Sequence, residues 1–275
     1  MSFRLAIVTG ASSGIGEALC RLLASKGIDL IITGRNTTAL GELANSLSGQ
    51  VKVIVQPFDL SLAEHRKKLI DLIHAFVPDL VINNAGFGLY GEALSYDTAE
   101  QLEIVNVNAS AVLELTLEAA RAMVAKNQKG IIVNISSAAG FLPFPCFSVY
   151  AASKAFVNNV SEGLDAEMRP YGIRVLAACP GMVATRFRQR AAGETARPGQ
   201  DKAKHSSFEV MSASTAAEEI WKQIQKQTPV RIFNWYYRIL IFLARFVVPK
   251  SILLPNLRKN IEKRYHQRPI KNQKR

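Results

Sequence analysis

The segment Thr9-Gly10-Ala11-Ser12-Ser13-Gly14-Ile15-Gly16 limits what this chain can fold into more than any other. It follows Leu5–Thr9, an apolar run that reads as a buried strand, and precedes Glu17–Ser25, which reads as a helix. A glycine triplet alone is common. Between a strand and a helix, with a second apolar strand at Asp29–Gly34, it reads as a turn that cradles the pyrophosphate of a dinucleotide. Gly10 permits the tight turn, Gly14 lets the backbone approach a phosphate, and Gly16 lets helix and strand pack closely. Ser12, Ser13 and Ile15 complete the loop at the helix N-terminus, whose free N–H groups face the phosphates.

The same alternation continues along the chain. Strands are expected at Val51–Phe58, Leu80–Asn83, Ile131–Ile135, Arg174–Ala178 and Val230–Phe233. Helices are expected at Thr38–Leu47, Leu62–Phe76, Tyr150–Arg169 and Ser214–Gln227, with a long stretch from about Thr98 to Lys126 in one or two pieces. Continuous apolar strands between helices imply a parallel sheet covered on both faces. Right-handed crossovers then give an α/β, doubly wound sheet of about seven strands. We expect residues 1–233 to form one catalytic domain, with a lid at about 186–214 and an aromatic and basic extension over 234–275. Hydrophobic residues make up 48% of the chain, near the globular average, so disorder is not the default.

Two further patterns carry chemistry. Strand two ends in Gly34-Arg35-Asn36, where a carboxylate would meet the ribose hydroxyl of NAD. Arg35 suits the 2′-phosphate of NADP instead. Tyr150 and Lys154 are four residues apart on an expected helix, so they share a face. An ammonium beside a phenol favours the phenolate and is expected to lower the tyrosine pKa from about 10.

With Asp59, Asn83-Asn84-Ala85-Gly86, Asn108, Ser136-Ser137, Tyr150-Ala151-Ala152-Ser153-Lys154 and Pro180-Gly181-Met182-Val183-Ala184-Thr185, the chain resembles the short-chain dehydrogenase/reductase family over residues 5–185. The resemblance implies that Tyr150 protonates a substrate carbonyl as hydride arrives, and that Lys154 lowers the tyrosine pKa and bonds the nicotinamide ribose. It implies that Ser137, rather than Ser136, orients the carbonyl, and that Asn108 holds a water linking Lys154 to solvent. Asp59 and Leu60 would contact the adenine end, Asn83, Ala85 and Gly86 would line the cleft, and Pro180, Gly181, Val183 and Thr185 would meet the carboxamide end. The implied activity is that of an NADP(H)-dependent carbonyl reductase or alcohol dehydrogenase, forming a homo-oligomer such as a dimer or tetramer. No metal site is expected: the three cysteines are scattered and lack a CxxC or a histidine cluster.

The charge belongs elsewhere. The chain carries 34 Lys/Arg and 22 Asp/Glu, a net +12. From Arg231 to Arg275 there are 12 Lys/Arg and one acid, Glu262, so +11 lies in the tail and +1 in the body. A near-neutral body argues against nucleic-acid binding. Arg231, Arg238 and Arg245, seven apart, are expected on one helical face. The tail then reads either as a helix packed over the cleft or a partner subunit, or as a peripheral contact with an anionic membrane. No apolar run is long enough to span a bilayer and no cleavable leader is visible, so a cytoplasmic protein, membrane-associated or not, is expected. The apolar run Phe141–Phe147 suggests a pocket wall, a core segment or a subunit contact, and tilts the substrate toward a lipid-like ketone. Two readings compete with an enzyme: a non-catalytic NADP-binding protein and a membrane-surface interaction protein on the same fold.

Overall fold

The computed structural model describes residues 2–192 and 210–264. In chain order its strands are β1 (Leu5–Thr9), β2 (Asp29–Thr33), β3 (Val53–Gln56), β4 (Leu80–Asn83), β5 (Gly130–Ile135), β6 (Ile173–Cys179), β7 (Met182–Ala184), β8 (Val210–Ser212) and β9 (Val230–Ile232). Seven of them form one parallel sheet in the order β3-β2-β1-β4-β5-β6-β9, and β7 pairs with β8 alone. The helices are α1 (Gly14–Ala24), α2 (Thr37–Leu47), α3 (Ala63–Phe76), α4 (Thr98–Val105), α5 (Ala111–Ala125), α6 (Ser148–Met168), α7 (Arg186–Ala192), α8 (Ala213–Lys226), α9 (Trp235–Phe246) and α10 (Lys250–Arg264).

The strands are apolar on both faces because both faces are covered. Val8, Ile32, Ile82 and Val133 point to one side and pack with Leu19, Leu40 and Ile220 of α1, α2 and α8. Ile7, Ile31, Val81 and Ile132 point to the other and pack with Leu69, Leu115 and Leu164 of α3, α5 and α6. This two-residue alternation fixes the strand register. Chain connections leave β1 in one direction and β4 in the other, which opens a crevice at the strands' carboxyl ends.

The expected doubly wound sheet is the observed one, with local differences. β3 is shorter than Val51–Phe58, and α6 begins two residues before Tyr150. The long helical stretch is broken by a π-helical turn at Asn106–Ser110 between α4 and α5. The expected lid is ordered as α7, β8 and the first residues of α8, and residues 193–209 lie outside the described residues. Arg231 sits in β9, bonded to Glu219, so it does not share a helical face with Arg238 and Arg245 of α9.

One buried carboxylate holds α6 in place. Asp165 is 1% exposed. Its Oδ1 accepts from Arg174 Nε at 2.7 Å and Val175 N at 3.0 Å, and its Oδ2 from Arg169 Nη2 at 2.7 Å. Burial alone would raise its pKa, but the bonds from Arg174, Arg169 and the Val175 N–H hold it below the ordinary carboxylate value. Its contribution is therefore present at neutral pH and lost as pH falls through the lowered pKa. Asp165→Ala leaves Arg174 half-buried without its anion and should cost about 3–5 kcal/mol in urea unfolding near pH 7.

Candidate active site

The crevice is a cleft of ≈ 1920 Å³. Its floor is the glycine turn, where Gly14 takes a left-handed φ of 62° and a Cβ on Gly16 would lie 2.4 Å from the Gly10 carbonyl oxygen. The turn is stitched to the end of β4. Thr9 Oγ1 accepts from the N–H groups of Asn84 and Ala85, both at 2.9 Å, while Asn84 Nδ2 donates to the Thr9 carbonyl at 2.9 Å and the Gly10 carbonyl at 3.2 Å. Asn84 borders the cleft and does this work; sequence reasoning gave roles to its neighbours and missed it.

Every residue expected at the site borders the cleft except Gly16, Asn83 and Asn108. Asn83 belongs to the core: its Nδ2 donates to Asn134 Oδ1 at 2.8 Å and Thr116 Oγ1 at 3.2 Å. Strand alternation turns it inward, which corrects the expectation that it lines the cleft. Asn108 stands in the π-helical turn and is fully buried. Its Oδ1 accepts from Phe87 N at 3.1 Å, and its Nδ2 donates to Phe87 O at 2.8 Å and Ser153 Oγ at 3.2 Å. The side chain therefore fixes the segment after β4 instead of reaching the cleft.

Tyr150 and Lys154 lie one turn apart on α6, both nearly buried. Lys154 Nζ donates to the Ile135 carbonyl at 2.8 Å and stands 5.7 Å from the centre of the Tyr150 ring. Burial pushes the Tyr150 phenol up to about 12, against the opposing bond from Ser137. Burial also pulls Lys154 down to about 8. The expected lowering of the tyrosine pKa is thus reversed in the free protein. The ammonium is directed to β5, and burial dominates the phenol. The consequence is a phenol fully protonated at neutral pH. Ser136 spends its hydroxyl on the Lys154 carbonyl at 2.9 Å, whereas Ser137 borders the cleft beside the phenol.

At the other end, Arg35 lies 4.0 Å from both Asp59 and Glu103 and is largely exposed. Burial raises the Asp59 pKa, but the Ser61 N–H and hydroxyl, with Arg35 and His65 nearby, hold it below the ordinary carboxylate value. The wall beyond Tyr150 is aromatic: Tyr90 stacks on Phe147 at 4.0 Å, Phe147 on Tyr150 at 4.3 Å, and Phe187 of α7 lies 5.4 Å from Tyr150. Phe144 and Leu142 extend it, so the apolar run before α6 serves as both pocket wall and local core. Helix α9 forms part of the cleft wall. Tyr237 packs against Gly181, and its hydroxyl accepts from Met182 N at 3.4 Å. The structure thus packs one face of the tail helix over the cleft, and leaves its opposite face exposed.

These residues fit a nicotinamide dinucleotide. The left-handed glycine turn leaves room for phosphates at the start of α1, and Gly86 keeps the passage beside Lys154 open, since a Cβ there would lie 3.3 Å from Nζ and 2.9 Å from Asn108 Oδ1.

Comparisons with known proteins agree. Residues 4–195 match the sequence model of the short chain dehydrogenase family. An uncharacterised oxidoreductase of Staphylococcus aureus is 36% identical over 184 residues, which cover 66% of this chain and 79% of that protein. Its counterpart in Staphylococcus epidermidis is 33% identical over the same coverage. A short-chain dehydrogenase from Sphingobium yanoikuyae, solved with NADPH, superposes with a TM-score of 0.76 at 25% identity, covering 99% of this chain and 100% of that one. A Burkholderia phymatum relative solved with NAD shares the fold, with a TM-score of 0.77 at 24% identity over 88% of this chain and 92% of that one. From the glycine turn to the segment beyond β6, then, sequence and architecture agree: this chain belongs to the short-chain dehydrogenase/reductase family and is an oxidoreductase that pairs a nicotinamide cofactor with a small-molecule substrate.

Proposed function

We propose that the protein is an NADP(H)-dependent carbonyl reductase, or the reverse alcohol dehydrogenase, for apolar, lipid-like ketones, aldehydes or secondary alcohols. The observation that carries this reading is the continuous aromatic wall running from Tyr150 through Phe147, Tyr90, Phe144 and Phe187. Such a wall desolvates an alkyl or ring-bearing substrate and leaves the carbonyl to a few polar groups. Arg35 supports NADP(H), because its exposed guanidinium can leave Asp59 and Glu103 for a 2′-phosphate at little cost. Exposed Leu102 and Val105 of α4 and Phe156 of α6 support a homo-oligomer built on that side of the body.

Held by the glycine turn and the passage beside Lys154, a nicotinamide would supply the hydride chemistry at the carbonyl carbon, in either direction. Tyr150 gives its phenolic proton to the carbonyl oxygen, and Ser137 donates a hydrogen bond to that oxygen. Lys154 stands behind the phenol. As the phenolate forms, the ammonium attracts it and limits the cost of a buried anion. Asn108 keeps Phe87 and the wall of the passage in register. The burial that raises the Tyr150 pKa suits the reductive direction, since the acid is loaded across the neutral range.

Three outcomes are expected. Tyr150→Phe should lower kcat for NADPH-driven reduction in a ketone panel by about 10² or more while cofactor binding, read by fluorescence, persists. Wild-type turnover in that variant would remove Tyr150 as the proton donor. Arg35→Asp should shift the kcat/KM ratio toward NADH by about tenfold or more, and an unchanged ratio would refute the NADP(H) preference. Lys154, lowered to about 8 in the native state, holds fewer protons there than in the unfolded chain between that pH and 10.5. Its contribution to stability therefore rises with pH across this window. The Tm of the wild type relative to Lys154→Met should accordingly increase from pH ~7.5 to ~9.5 in differential scanning calorimetry.

A further inference from the structure

Helix α9 has two apolar faces, and the body covers one. Tyr237, Ile241 and Ala244 face the cleft and the core, with Ile241 and Ala244 buried. At about 100° per residue, Trp235, Ile239, Phe242 and Phe246 fall within a 60° arc on the far side. All four are exposed, Phe246 at 69%, Phe242 at 58% and Trp235 at 56%, and exposed Tyr236, Leu243 and Val247 widen the stripe. Arg238 and Arg245 line one edge of it, where long side chains can bury their stems and keep their charge in a polar layer. Exposed Ile252 continues the apolar surface at the start of α10. A helix that is apolar on nearly every side except a basic edge needs a cover.

Charge decides what the cover is. From Arg238 to Arg275 the sequence holds 11 Lys/Arg and one acid, Glu262. A second copy related by a two-fold axis would bring two basic segments together with one acid in each to offset them. An anionic bilayer offers apolar depth and phosphate charge together. The helix is about 18 Å long and lies across the cleft, and no helix among the described residues is long and apolar enough to cross a membrane. The surface therefore suits a seat in the headgroup layer. We propose that α9 and the start of α10 dock the enzyme on anionic membranes, with Trp235, Ile239, Phe242 and Phe246 in the acyl boundary and the basic edge on lipid phosphates.

The seat has a functional position. Tyr236, Leu240 and Leu257 border the same cleft as Tyr150. Arg258 bonds Glu92 at 2.6 Å and ties α10 to the body beside it. An apolar substrate dissolved in the bilayer would meet the mouth of the cleft without crossing water. This last step rests on the apolar-substrate reading above; the docking itself does not.

The test uses the full chain and vesicles of phosphatidylglycerol mixed with phosphatidylcholine, against vesicles of phosphatidylcholine alone. The protein should pellet with the anionic vesicles at low salt, shift its tryptophan emission to the blue, and release as salt rises. Phe242→Ser/Phe246→Ser and Arg238→Glu/Arg245→Glu should each weaken binding by about tenfold or more while turnover of a short, water-soluble ketone is unchanged. Recovery of the wild type in the supernatant at low salt would overturn the proposal, as would variants that bind like the parent. A dimer seen by light scattering that Phe242→Ser/Phe246→Ser dissolves, with no vesicle binding, would assign the face to a second copy and also overturn it. Pelleting is read without turnover, so Tyr150→Phe should bind vesicles normally while inactive. If no ketone is reduced, the functional reading fails and the docking result still stands on its own.

Discussion

The Thr9 hydroxyl is the pin on which the site depends. It accepts the N–H groups of Asn84 and Ala85 at the point where the chain connections of the sheet diverge. The ladder pairs β1 and β4 as far as Val8 and Ile82, and that bond carries the tie beyond it to the wall of the glycine turn. Asn84 repeats the constraint from the other side by donating to the Thr9 and Gly10 carbonyls. Polar groups that would otherwise be stranded at two strand ends satisfy one another, and the crevice between them keeps a fixed width. The second anchor is farther away. Asp165 joins α6 to β6, so Tyr150 and Lys154 approach the crevice from a helix that cannot slide.

What the sequence makes legible is local or periodic. Leu5–Thr9 is apolar throughout because both faces of the strand are buried, and the loop after it announces its turn through glycines. Tyr150 and Lys154 share a face because helical geometry places residues four apart together. What stays hidden is decided by partners distant in sequence. Asn83 turns inward because Thr116 and Asn134 wait for it. The π-helical turn at Asn106–Ser110 has no composition of its own, and only the Asn108 bonds to Phe87 and Ser153 explain why the helix loosens there. The direction of the Tyr150 pKa needed the same knowledge. Spacing shows that an ammonium is near, but not that Ile135 has claimed it.

The charge of the chain illustrates the same division. A net +12 suggests a basic protein, yet the body is nearly neutral and its ion pairs are balanced. Apart from Arg35 beside Asp59 and Glu103, Arg66 meets Glu114 and Arg174 meets Asp165. The excess begins at the last strand, so the net charge and the catalytic residues occupy different parts of the molecule.

The contact between Tyr237 and Gly181 has a further consequence. At position 181 any side chain would collide with the tyrosine ring, whose nearest atom would be 2.2 Å from a Cβ. Helix α9 and the segment after β6 are thus complementary surfaces, each shaped to the other. A substitution that enlarged position 181 without shrinking position 237 would lose that fit, whatever the catalytic residues. The helix that follows the sheet is therefore part of the active site's wall rather than an appendage to it.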